Sequence, residues 1–282
     1  MVVERAELLA SAGWQCAATV SGVASVPGDL DGVDWFDAEV PGTVASALAA
    51  HQVDWTSADI DGHDWWYRTS FAAVCESAAD LEWDGLAAFT EIWLNGRRVA
   101  ETSTMFVTGR VPITSLAEHN ELVVRFRSVR TELAGRRPRP RWRVARLVYP
   151  NLRWERVSLW GRLNGAVPVP PVVGPWRELR MVQDTTARIV RRRLTATPTV
   201  SGGGIVGLEA EVRGESVVKL SGSVTLRVGD ATSPASIEPG VEDGSWIVRG
   251  VVELGTVDLW WPLAAGRQPL YDVTITVGGQ EL

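Results

Sequence analysis

The chain has 282 residues, 34 acidic and 28 basic, for a net charge of −6. That balance gives no general attraction to nucleic acid or to an anionic membrane, and no apolar run approaches the length of a bilayer span. Two cysteines cannot build a disulfide scaffold, three scattered histidines show no paired metal-ligand spacing, and the length allows two domains with separate cores.

The opening residues MVVERAELLASAGW lack the long apolar core of a secretory signal. They predict a short helix over 4–12, docked by Leu8 and Leu9 and stopped at Gly13. Residues 14–40 carry Trp14, Trp35 and Phe36 among glycines and aspartates, which predicts short strands and turns. Pro41-Gly42-Thr43 is a turn whose threonine can cap a helix over Val44 to Ala50. In DWWYRTSF (64–71) large rings fall on both faces, predicting an interior strand. Trp65, Trp66 and Tyr67 are expected in a core rather than as a sugar platform, with Arg68 bridging to a carboxylate. Leu81 to Asp84 alternates apolar with acidic residues, the pattern of a strand with one wet face. Phe89 to Leu94 puts Ile92 and Leu94 on one side and Phe89 and Trp93 on the other, again an interior strand. Asn95-Gly96 then tolerates the positive φ of a two-residue hairpin turn. In 121–128, Leu122, Val124 and Phe126 point inward and Val123, Arg125 and Arg127 outward.

Short strands joined by turn signals make this an all-β sandwich. Residues 129–173 break the rhythm with arginines between Arg136 and Arg146 and prolines at 138, 140, 168, 170 and 171. Proline removes ladder donors, so this stretch reads as a long excursion away from the sheet, of a length usually functional or disordered. From about Asp184 the alternation restarts, in Val206-Leu208-Ala210-Val212, Val224-Leu226-Val228, Trp246-Val248 and Tyr271-Val273-Ile275-Val277. Roughly 95 residues of such strands fit an immunoglobulin-like sandwich. One further strand is usual there, so the second sandwich reads as truncated. The domains are expected at 1–184 and 185–282. Fourteen tryptophans are far above the usual share; most are expected as core, and Trp260-Trp261-Pro262 as a seal on the sandwich end. Cys16 and Cys75 are expected as buried thiols of a cytoplasmic protein rather than as one bridge.

Six stretches, VPGTVASAL (40–48), WWYRTSF (65–71), DGLAAFTEIWLNGRRV (84–99), NELVV (120–124), GPWRELR (174–180) and LWWPLAAGRQPLYDV (259–273), occur in an order that resembles the N-terminal, non-barrel half of family 2 glycoside hydrolases, in the β-mannosidase-like branch. The resemblance implies a jelly-roll, galactose-binding-like sandwich followed by the immunoglobulin-like one. It also implies a catalytic (β/α)₈ barrel of about 250 residues, whose two carboxylates, about 5 Å apart, perform retaining hydrolysis. No segment here has the barrel's pattern, so no catalytic residue, metal or cofactor is assigned and the chain alone is expected to be inactive. In the β-mannosidase-like branch a Trp-Asp-Trp segment precedes the Gly-x-Trp-Arg strand. Counting back from Trp176, that place holds Leu163 to Pro168 without the pair. Trp154 and Glu155 can stand in as aromatic platform and hydroxyl acceptor, the alternative being a loop tryptophan packed on the sandwich; with Asn164 they are the candidate sugar-binding residues. Arg139, Arg141, Trp142 and Arg143 are expected to face the family's barrel, where guanidiniums can pair with its carboxylates. The expected partners are a β-linked carbohydrate and that barrel, with no nucleic acid and no membrane. Two other readings stand beside this one: a stand-alone lectin-like module that binds carbohydrate without hydrolysing it, and a purely structural two-sandwich protein.

Overall fold

The structure, a computed structural model, describes residues 6–9, 13–72, 79–114, 116–138, 141–142, 145–165, 168–182, 188–213, 224–241, 244–277 and 280–282. They fall into two compact units, one within Arg5–Gln183 and the other within Asp184–Leu282. Both are built of antiparallel strands, and the fold is all-β.

In the first unit the chain runs β1 (Ala6–Leu8), β2 (Trp14–Val20), β3 (Phe36–Ala38), α1 (Val44–Ala50), β4 (His63–Ala72), β5 (Ala79–Trp83), β6 (Thr90–Leu94), β7 (Arg97–Thr102), β8 (Gly109–Ile113), β9 (His119–Phe126), α2 (Val129–Glu132) and β10 (Leu179–Val182). One sheet has the order β1-β10-β5-β8, the other β3-β2-β4-β9-β6-β7. The segment between β5 and β6 therefore crosses from one sheet to the other. Both β4 and β6 lie inside their sheet, as rings on two faces require. Leu81, Trp83, Leu179 and Met181 from the first sheet meet Trp65, Tyr67, Ile92, Leu94, Leu122, Val124 and Phe126 from the second in one core. Helix α1 begins where Thr43 Oγ1 accepts the Ser46 amide at 3.2 Å, and it buries Val44, Ala45, Ala47 and Leu48.

Several local expectations give way to tertiary pairing. The stretch expected as a helix over 4–12 instead contains β1, which pairs Ala6 with Val182 on the open edge of β10; the ladder outweighs a weak local preference. Phe89 precedes β6 and joins Ile92 and Leu94 in the core instead of sharing a face with Trp93. The face of β9 expected to look outward is covered: Val123, Trp66 and Trp93 form a second cluster under Ala24, Leu30, Val33 and Trp35. Within it the Trp66 and Trp93 centroids lie 5.8 Å apart, and the Arg125 guanidinium sits 5.1 Å over Trp66. Arg68 bridges to an amide, not a carboxylate, donating to Gln15 Oε1 at 2.8 and 3.0 Å while stacking 4.0 Å over Trp35.

The second unit contains β11 (Arg188–Pro198), β12 (Gly204–Arg213), β13 (Val224–Val228), β14 (Ala231–Pro239), β15 (Ser245–Leu254), β16 (Val273–Val277) and β17 (Gln280–Glu281), in the order β11-β12-β15-β14-β13-β16-β17. Strand β14 belongs to both layers. Its residue Ala235 is paired with Val224 of β13 on one side and with Gly250 of β15 on the other. The layers close tightly there, because a Cβ on Gly250 would lie 3.1 Å from Ala235 Cβ and Leu226 Cβ. The alternating valines and leucines of β12, β13 and β16 point into this core as their spacing predicts. Trp260 and Trp261 do not seal a sandwich end: they are 57% and 51% exposed.

Candidate functional site

The excursion over 129–173 does not leave the sandwich; it packs on it. Leu147, Leu152, Val157 and Val173 enter the main core. The Val148 amide donates to the Arg162 carbonyl at 3.0 Å and the Asn164 amide to the Arg146 carbonyl at 2.7 Å, which makes a short internal ladder. At the far end Val44 N donates to Val173 O at 2.8 Å, and Ala87 and Gly174 exchange a pair of backbone bonds.

The anchor of the excursion is Arg162, whose side chain is fully buried. Its Nε donates to Asp61 Oδ2 at 2.9 Å, Nη2 to Asp61 Oδ1 at 2.7 Å, and Nη1 to the Ser158 carbonyl at 2.9 Å. A buried guanidinium needs this degree of pairing, since an unpaired charge there is prohibitive. Asp61 belongs to a run, Asp59 to Asp64, in which three aspartates each hold a different arginine. Asp59 grips Arg130 with two bonds of 2.6 Å, and Asp64 takes Arg125 at 2.7 Å together with the Ser128 amide at 2.7 Å. Burial, followed by the Asp61 charge, pushes the neighbouring Tyr149 phenol above its ordinary value, against the opposing hydrogen bond and charge of Arg130.

These clamps hold an open cleft of about 750 Å³ lined by Trp55, Phe106, Leu159, Trp160, Leu163 and Val169 among others. Trp160 is 68% exposed and Phe106 58%, large rings presented to solvent. Gly161 sets the angle of Trp160: with φ +74°, it lies so near Pro171 that a Cβ would sit 2.4 Å from the proline nitrogen. Aromatic faces at such a site suit the axial C–H face of a sugar ring.

Of the sequence candidates, Trp154 ends a 3₁₀ turn and is half exposed. Glu155 is ion-paired to Arg137 at 2.5 Å, so its carboxylate already has a cationic partner. Asn164 is exposed, next to Leu163 of the cleft wall. Trp142 is exposed, and its carbonyl accepts Arg153 Nη1 at 2.9 Å; Arg141 beside it is exposed too. Arg139 and Arg143 lie outside the described residues, as does Cys75, while Cys16 is a buried free thiol. Counting back from Trp176 passed over Trp160, which stands three residues upstream of the counted place. The signal for it was the triplet Trp160-Gly161-Arg162, a ring, a tight turn and a buried anchor. Among the described residues no three acidic, cysteine or histidine side chains gather as a metal site, and no helix is long and apolar enough to cross a membrane.

Residues 14–177 match the family described as glycosyl hydrolase 2 galactose-binding domain-like. The chain belongs to this family. Among curated relatives, β-mannosidase B of Thermothelomyces thermophilus is 30% identical over 235 residues, covering 76% of this chain and 25% of that protein. The β-mannosidase of Rattus norvegicus is 25% identical over 276 residues, covering 84% and 30%. The crystal structure of a β-D-mannosidase from Dictyoglomus thermophilum superposes with a TM-score of 0.70 at 20% identity, covering 96% of this chain and 34% of that one, and so shares its fold. The chain thus spans between a quarter and about a third of these proteins, and corresponds to their N-terminal, non-barrel region.

Proposed function

We propose that this chain is the N-terminal accessory region of a family 2 exo-β-glycosidase of β-mannosidase type, and that its cleft forms an aromatic wall against which a β-linked sugar is held. Hydrolysis belongs to the family's barrel, and no acid/base and nucleophile pair is assigned among the described residues of the first unit. The observation that carries the reading is Trp160, an exposed indole at the mouth of a cleft beside the buried Arg162–Asp61 pair. The exposed Arg141 and Trp142 support a second element of the proposal, a loop that faces the barrel. The buried, unpaired thiol of Cys16 supports a cytoplasmic location, and the two-layered second unit supports an immunoglobulin-like sandwich.

The test is a titration of this chain with manno-oligosaccharides, followed by tryptophan fluorescence, alongside Trp160→Ala. In the longer enzyme Trp160→Ala should raise KM for the glycoside more than it lowers kcat. An unchanged KM would rule out the aromatic wall. Saturable binding by the 282-residue chain alone, at micromolar sugar, would favour the lectin-like reading instead.

A further inference from the structure

The two exposed rings of the cleft, Phe106 and Trp160, come from distant segments, yet one buried side chain lies between their backbones. Met105, immediately before Phe106, is 3% exposed and belongs to the main core. Its amide donates to the Arg156 carbonyl at 3.2 Å, its carbonyl accepts Trp176 Nε1 at 3.1 Å, and its Sδ accepts the Ser158 amide at 3.0 Å. A thioether is a weak acceptor, and a core methionine is more often a gap filler. Here amide, carbonyl and sulfur are all engaged, with two other segments of the first unit.

Ser158 carries the connection on. Its Oγ accepts the Trp160 amide at 3.1 Å, a serine turn, and its carbonyl accepts Arg162 Nη1 at 2.9 Å. On the other side Trp176 stands edge-to-face against Phe106, with ring centroids 6.3 Å apart at 77°. Room for the bond from Trp176 comes from Gly85, where a Cβ would lie 2.6 Å from Trp176 Nε1 and 3.1 Å from the Met105 oxygen. The glycine after β5 thus permits a close approach that any side chain would block.

We propose that Met105 is a positioning residue of the cleft. Through Sδ and Ser158 it sets Trp160, and through its carbonyl and Trp176 it sets Phe106, so that the two rings meet a sugar as one platform. The inference rests on the sugar reading of the cleft and adds the buried residue that aligns its rings. Rings aligned before the ligand arrives lose less freedom on binding, which leaves more of the contact energy as affinity.

The test uses the 282-residue chain labelled with fluorotryptophan, the Trp160 resonance being assigned by its loss in Trp160→Phe. Met105→Leu conserves volume and removes the sulfur acceptor. It should leave the chain folded, shift the Trp160 resonance, and raise Kd for a manno-oligosaccharide about fivefold, the usual worth of one hydrogen bond. In a Trp160→Ala background the same substitution should leave Kd unchanged. Trp176→Phe, which removes the donor to the Met105 carbonyl, should shift the Trp160 resonance as well, and it decides the matter if the leucine variant does not fold. An unmoved Trp160 resonance, or an effect on Kd that persists without the Trp160 ring, would overturn the inference. A resonance that millimolar sugar fails to move in the unaltered chain would instead overturn the sugar reading, and the role of Met105 with it.

Discussion

Asp61 and Arg162 lie 101 residues apart and meet in the interior as a two-pronged ion pair with bonds of 2.7 and 2.9 Å. One residue precedes β4 and the other sits deep in the proline-rich excursion. Their pairing is what makes that excursion part of the sandwich, and it places Trp160 two residues from a fixed point.

Arg162→Ala should therefore destabilise the first unit by about 3–5 kcal/mol, the usual penalty for leaving one buried charge without its partner. Arg162→Lys should recover little, because a single ammonium cannot reach Asp61 in two places and also the Ser158 carbonyl. Urea denaturation followed by tryptophan fluorescence measures both; a loss below about 1 kcal/mol for the alanine variant would mean that the clamp is incidental.

Two tryptophans separate stability from binding. Trp66 is fully buried and donates to Thr19 Oγ1 at 2.9 Å, so Trp66→Ala should cost about 3–5 kcal/mol. Trp160→Ala removes a ring that is mostly in solvent and should shift stability by less than about 0.5 kcal/mol. Thermal unfolding of the two variants, read with the sugar titration, shows whether the exposed ring serves binding alone.

Acid should loosen the sheet of β5 and β10 through Asp84. Its hydrogen bonds from Arg180, at 2.7 and 2.8 Å, hold the carboxyl below its ordinary value of 3.8; partial burial opposes this, and the charges of Arg180 and Arg177 add to it. The native value lies below the unfolded one, so the contribution is complete above the unfolded value and is lost as pH falls through the native one. Stability should decline below about pH 4, and Asp84→Asn should flatten that part of the profile; a slope unchanged in the variant would assign it to other carboxylates.

The β6–β7 hairpin turns on Asn95 and Gly96, at φ 51° and 76°. A Cβ on Gly96 would touch nothing, so Gly96→Ala isolates the backbone cost of a left-handed residue, about 1 kcal/mol. Chemical denaturation should show that loss without a change in the slope of the transition.

The strands of both units are readable from alternation, because a side chain's face along a strand depends on its neighbours in sequence. That is why β4, β6, β9, β12 and β16, and the Asn95-Gly96 turn between β6 and β7, follow from the residues themselves. The short first strand does not, since Ala6–Leu8 is extended only because β10 offers it an open edge. The site was less legible. Asn164 lies at the place counted back from Trp176, and Trp154 and Glu155 stand out as an aromatic beside a carboxylate, while the cleft is lined by Trp55, Phe106 and Trp160, which come from three separate segments.

By itself the sequence determined the all-β class, the interior strands and the order of family stretches, all of which are written in local spacing. The tertiary structure alone decided that Asp61 finds Arg162 and that Val123 is covered while Trp260 is not. Those outcomes depend on which distant groups meet when the chain crosses between sheets, and burial energy acts on that meeting rather than on spacing along the chain.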